Sequence, residues 1–289
     1  MRLFFTLLFV VSSLFAIDYE IADTSVANGR TTYISFTKDK NIIYDRVAHG
    51  DEKFKIFEHP LDKNKMYALV PISYYQKPSK EKLTLYYKKD GMRAHEDIFI
   101  RIEDGKYAKE QIQVSKSKVN PTSEAVKNRI SKEYDEAMRI YGTVTKESYI
   151  KSPFIAPMKS VITSDFGKAR VYNDSLKGYH SGTDYRAAVG TPIIASNDGV
   201  VALVEDRFYS GGTVLLDHGH GIYTCYFHMS GFDVKKGQKV KKAQVLGLSG
   251  ASGRVTGPHL HFAVRINKVQ VDPLQFIEIM NNILLKDIK

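Results

Sequence analysis

Cysteine is nearly absent: Cys225 is the only one, which excludes an intrachain disulfide and a lipid-anchored cysteine behind an N-terminal leader. It lies in the strand-like run Thr224-Cys225-Tyr226 and reads as a small buried apolar residue. A cysteine–histidine pair with His228 is disfavoured, because residues three apart in an extended strand face opposite ways. Long hydrophobic runs are also lacking. The stretch Leu3 to Ala16, interrupted by Thr6, Ser12 and Ser13, falls short of the roughly 20 apolar residues that span a membrane. With Arg2 before it, small Ala16 at its end and a polar stretch from Asp18, it reads as a secretory leader over residues 1–17, an uncleaved anchor being the alternative. Either reading places the rest of the chain outside the cytoplasmic membrane. Acidic residues are in deficit, 32 against 42 Lys and Arg, and the net charge of +10 favours anionic polymers or an anionic membrane surface. That charge is spread out; its densest run, Lys235-Lys236 to Lys241-Lys242, lies in a glycine-containing hairpin. No nucleic-acid-binding motif occurs, so nucleic acid is not an expected partner.

At 289 residues the chain accommodates about two domains. Residues 18–112 carry short period-2 segments, among them Ile34 and Phe36, Leu83 with Leu85 and Tyr87, and Ile98 with Ile100 and Ile102, which predict a small antiparallel β-sandwich. His49, His59 and His95 are isolated there and suit loop or surface roles. A linker over 113–151 contains a predicted helix, 121–141, with Asn120 as N-cap, Pro121 at the first helical position and Gly142 as the stop. Its stripe of Val126, Ile130, Tyr134, Ala137 and Tyr141 predicts a helix that packs and fixes the two domains relative to each other. Residues 152–278 are nearly all short strands and turns, and 279–289 form a C-terminal tail.

Two clusters in that last domain carry metal-ligand chemistry. His259 and His261 open the run Phe262 to Ile266, and residues two apart on a strand share a face. His180 and Asp184, four apart, share a side if the chain between them is extended. Two imidazoles and a carboxylate can hold zinc and leave a fourth position open for water. A second His-x-His, His218-Gly219-His220, is interleaved with glycines and reads as a turn between strands.

These residues, with Ser164-Asp165-Phe166-Gly167, Gly190-Thr191-Pro192, Tyr226-Phe227-His228 and Ser252-Gly253-Arg254-Val255-Thr256-Gly257-Pro258, resemble the M23 zinc metallopeptidases, the lysostaphin and LytM-like peptidoglycan endopeptidases. The resemblance covers about Phe154 to Phe276. It implies a mainly β protein in which an antiparallel M23 domain follows the small sandwich and the bridging helix. It implies zinc held by His180, Asp184 and His261, with His228 and His259 as the catalytic pair outside the coordination sphere. It implies peptidoglycan as the substrate and a periplasmic or cell-wall location. Without a wall-sorting domain, the D-Ala to diaminopimelate cross-link is favoured over a pentaglycine bridge, D,D-carboxypeptidase action being a close variant. Two other classes compete. A biotinyl- or lipoyl-type carrier is suggested by Val234 to Gly247, but no lysine occupies the Asn197-Asp198-Gly199 hairpin. A non-catalytic amidase activator is the other, although no motif position is missing here. The N-terminal module is expected to place or cover the groove; a membrane surface or a cell-division or cell-shape protein is a further candidate partner.

Overall fold

The structure is a computed structural model and describes residues 17–112, 121–172 and 176–284. Strand makes up 49% and helix 11%, so the chain is mainly β, as the sequence indicates. The predicted leader, residues 1–17, lies outside the described residues except for Ile17, which is buried beside Val26 and Ile34. Among the described residues no helix is long and apolar enough to cross a membrane.

Two sheets form the N-terminal part. One runs in the order Tyr19–Ile21, Thr31–Thr37, Lys65–Pro71, Phe57–Glu58; the other in the order Ser25–Ala27, Met92–Glu103, Ser79–Lys89, Ile42–His49, Glu52–Lys55. All pairings are antiparallel except Ser25–Ala27 against Met92–Glu103. Ile34, Phe36, Val70, Leu83, Leu85, Ile98 and Ile100 fill the space between the sheets, the period-2 positions of the sequence. The first sheet is buried on its other face as well. Tyr33, Tyr67 and Leu69 alternate with the sandwich residues and join Phe154, Ile222 and Phe276 in a single larger core. Each such side chain contributes about 1.5–3 kcal/mol on burial, so the N-terminal sheet and the C-terminal part hold each other directly. Polar contacts reinforce this junction: Thr31 exchanges two hydrogen bonds with the side chain of Gln275, 3.1 and 2.9 Å, and Tyr74 stacks on Tyr179 at 3.9 Å between ring centres.

The helix, α1, spans Glu124–Tyr141, later than predicted: Pro121 lies outside it, Ser123 is the N-cap, and Asn120 falls outside the described residues. Gly142 does end it, its N–H donating to the Met138 carbonyl. Only the C-terminal turns of the stripe pack. Ala137, Ile140 and Tyr141 meet Leu203, Leu215, Tyr223 and Cys225, whereas Tyr134 is 63% exposed. The first turns are tied by polar contacts instead, Arg129 to Asp206 at 3.2 Å and the Phe208 N–H to Glu133 at 2.9 Å. The helix therefore docks on the C-terminal sheet, and the sheet contact described above joins the two parts.

That C-terminal sheet has ten strands, with a central antiparallel order of Thr183–Arg186, His259–Ile266, Ile222–Phe232, Gly211–Asp217 and Gly199–Arg207. A short helix, α2, spans Pro273–Ile279 and is capped by Asp272, which accepts from Leu274 and Gln275. Of the stretch read from sequence as a tail, Ile279 ends this helix and Met280–Leu284 continue it as a π-helical turn, with Ile279 and Met280 buried.

Candidate metal centre and active site

The His259–Ile266 strand sorts its side chains by parity. Leu260, Phe262, Val264 and Ile266 enter the large core, while His259, His261 and Ala263 point to the opposite face, toward α1. Asp184 stands directly across from His261 in the neighbouring strand. His180 precedes that strand and reaches the same point: its Nε2 lies 2.9 Å from Asp184 Oδ1 and 2.9 Å from His261 Nδ1, which is 2.7 Å from Asp184 Oδ1. An extended chain would separate residues four apart by about 13 Å, so a shared strand side does not bring His180 and Asp184 together. The chain bends through Ser181-Gly182 instead. A Cβ on Gly182 would stand 2.3 Å from the Phe262 carbonyl and 2.6 Å from His261 Nε2, so only glycine permits the bend.

His180 Nδ1–H donates to the Asp165 carbonyl at 2.7 Å, which leaves Nε2 as a lone-pair donor. Burial drives the His261 imidazole down to about 4 against the pull of Asp184, so it is neutral, the form that binds a cation. Burial opposes ionisation of Asp184 too, but its contacts with the His180 and His261 rings outweigh it and hold the carboxyl far below its ordinary range. The donor set of two imidazole nitrogens and one carboxylate oxygen, buried and converging within 4.8 Å, fits a divalent metal with positions to spare.

His228 and His259 flank this trio, their ring centres 4.8 Å apart. The Ile222–Phe232 strand shifts register where His228 sits, and His228 takes φ 62°, so it follows Phe227 on the same face. Cys225 therefore cannot be assigned by simple parity with His228. It is buried against Tyr141, and burial raises its thiol to about 11, which excludes a thiolate nucleophile. His228 Nδ1–H donates to the Ser252 carbonyl and His259 Nδ1–H to the Gly257 carbonyl, each at 2.9 Å, so those bonds leave both Nε2 atoms unengaged. His259 Nε2 lies 3.7 Å from Asp184 Oδ1. Burial foremost, with His261 and His259 beside it, lowers His228 to about 3.

Two residues with no sequence signal complete the surroundings. Arg170 Nη2 contacts the second carboxylate oxygen of Asp184 at 3.3 Å, and Glu110 holds the same guanidinium at 3.0 Å. Glu110 arrives because Lys109–Ile112, leaving the N-terminal part, pairs in parallel with Ala169–Tyr172. The second His-x-His forms the anticipated turn and stays away from the centre. His218 bonds the Asp198 carbonyl and Thr224, and His220 bonds Tyr67 at 2.7 Å and stacks on Phe57 at 4.1 Å. Both are structural. In the sandwich, His59 accepts two backbone N–H groups and His49 faces Glu81, so neither joins a metal cluster among the described residues.

Residues 178–273 match peptidase family M23. The peptidoglycan DD-endopeptidase ShyA of Vibrio cholerae serotype O1 is 41% identical over 115 residues, 39% of this chain and 27% of its own length. The DD-carboxypeptidase/endopeptidase Mpg of Neisseria meningitidis serogroup B is 42% identical over 95 residues, 33% of this chain and 22% of its own length. The matched stretches thus span about a quarter of these relatives. A crystal structure of a Pseudomonas aeruginosa protein assigned to peptidase M23 superimposes with a TM-score of 0.66 at 27% identity, covering 87% of this chain and 94% of that one. That likeness extends well beyond residues 178–273. The stretch matched to peptidase family M23 contains His180, Asp184 and His261.

Proposed function

We propose that the chain is a zinc-dependent endopeptidase that hydrolyses D-Ala to diaminopimelate cross-links in peptidoglycan, in the periplasm or at the cell wall. One observation carries the reading: three buried donors converge on a point, and two further imidazoles beside them keep Nε2 clear of their backbone hydrogen bonds. His180, Asp184 and His261 would hold the metal. Zinc, when bound, supplies Lewis acidity and a water whose pKa falls toward neutrality. His259 is the general base in this reading, its Nε2 standing beside the ligand carboxylate. It accepts a proton from the attacking water and returns it to the leaving amine. His228, its ring centre 4.8 Å from that of His259, is the second imidazole of the pair and shares the handling of that proton. Arg170 and Glu110 fix the orientation of Asp184, so the strand that leaves the N-terminal part helps to position the centre.

The choice of bond rests on the DD-endopeptidase names of the Vibrio relatives. The Neisseria relatives carry a DD-carboxypeptidase name as well, which supports trimming of stem peptides as a second activity of the same site. A non-catalytic role is disfavoured by the complete set of five side chains. Digestion of purified sacculi, read by mass spectrometry, tests the proposal: cross-linked dimers should fall as monomers rise. Loss of terminal D-Ala with dimers unchanged would assign carboxypeptidase action alone, and an unaltered muropeptide profile would refute both.

A further inference from the structure

The face of the sheet that carries the metal centre continues beneath α1 into a cavity of about 460 Å³, walled by Tyr134 and Tyr141 of the helix and by Leu215, Phe227 and Arg254. Phe227 connects the two places, its ring centre being 5.5 Å from that of His261. Arginines in this region are mostly committed: Arg207 pairs with Glu136 and Glu205, Arg170 with Glu110 and Asp184, and Arg265 donates to the Lys268 carbonyl. Arg254 differs. Among the described residues its guanidinium forms no ion pair and donates no hydrogen bond. Its central carbon instead lies 4.5 Å from the ring centre of Tyr172 and 4.4 Å from that of Tyr209. Ring faces attract the cation and hold it in place, but they leave its N–H fork unused.

The position of this group is fixed from several directions. Arg254 N–H donates to the Tyr209 carbonyl at 2.8 Å. Two residues earlier, the Ser252 carbonyl orients His228. Tyr172 shares its strand face with Arg170, the residue on Asp184, about 7 Å along the strand. A half-buried, preorganised guanidinium whose fork has no partner among the described residues, beside a hydrolytic centre, matches a planar carboxylate.

We infer that Arg254 is a specificity-determining residue that binds a free carboxylate of the peptide substrate next to the scissile bond, with the α1 cavity taking the rest of that residue's side chain. This rests on the proposed function. Diaminopimelate carries a carboxylate on the same carbon as the amine that D-Ala acylates, so the favoured cross-link offers an anion one carbon from the scissile nitrogen. A glycine bridge offers none. The site therefore discriminates by charge as well as by shape, and α1 is a wall of the substrate site.

The test is equilibrium binding of a product, so that hydrolysis is not needed. The probe is the stem tripeptide ending in diaminopimelate, with the carboxylate on the carbon that bears that residue's free amine either free or converted to a carboxamide, titrated into the full-length protein. Wild type should prefer the free acid about tenfold to a hundredfold, the range expected for a charge-assisted hydrogen-bonded pair. Arg254→Gln should abolish the preference and Arg254→Lys should restore part of it, with thermal melting unchanged in both. Equal affinity for the two probes, no binding of either, or a preference retained by Arg254→Gln overturns the assignment. If sacculi resist cleavage while the preference holds, the proposed function fails and Arg254 stands as a carboxylate site; cleavage without the preference gives the converse.

Discussion

Acidification should loosen this protein through two histidines that take no part in the chemistry. Burial lowers His218 and His220 from 6.5 to about 4 in the folded chain. The unfolded chain therefore binds more protons than the folded one between those values. The stability they contribute is complete above pH 6.5 and is lost as pH falls toward 4. A shift of this size is worth about 3 kcal/mol per group in full, of which about 2 kcal/mol is lost between pH 7 and pH 5. His220 is the cleaner probe. It sits at the junction of the two parts, faced by the Tyr67 hydroxyl, the Phe57 ring and the Lys146 carbonyl, with no carboxylate in contact. His220→Gln keeps a polar group opposite Tyr67 but cannot titrate. The chain has no tryptophan, so urea unfolding is best followed by circular dichroism. Between pH 7 and pH 5 the variant should lose about 2 kcal/mol less stability than wild type. An identical loss in both would show that His220 is not held neutral at this junction.

Other perturbations separate the roles assigned at the centre. His261→Ala or Asp184→Ala should lower bound zinc and activity together, whereas His228→Ala or His259→Ala should keep zinc and reduce turnover by about 10² to 10⁴, as metal analysis and single-substrate kinetics would reveal. Gly182→Ala should displace His261, since the new Cβ would meet the Phe262 backbone at 2.3 Å; zinc affinity measured against a competing chelator should fall, and unaltered affinity would contradict the close approach. Arg170→Gln should weaken zinc by about 10- to 100-fold through loss of the contact to Asp184 Oδ2, with Glu110→Gln producing a smaller change in the same titration.

What the sequence reveals here follows the range of each interaction. The His259 and His261 spacing is a local period-2 signal, and the strand realises it because Leu260, Phe262 and Val264 claim the other face. The sandwich periodicity is legible for the same reason. Parity fails where the backbone departs from a straight strand: the bend at Ser181-Gly182 joins His180 to Asp184, and the bulge at His228 resets the faces after Phe227. Contacts between distant segments leave no local trace. The sequence alone does not pair Lys109–Ile112 with Ala169–Tyr172, so Glu110 and Arg170 pass unnoticed. The helical stripe likewise records which residues are apolar but not that Tyr134 would stand over a cavity with only the final turns in contact.

The most direct measurement is the cleavage rate of a purified muropeptide dimer joined through D-Ala and diaminopimelate, using full-length protein stripped of metal and titrated with zinc. The rate should rise from near zero and saturate at one equivalent, releasing monomers with the diaminopimelate amine free. A rate independent of zinc, or a dimer left intact at one equivalent, would contradict the account.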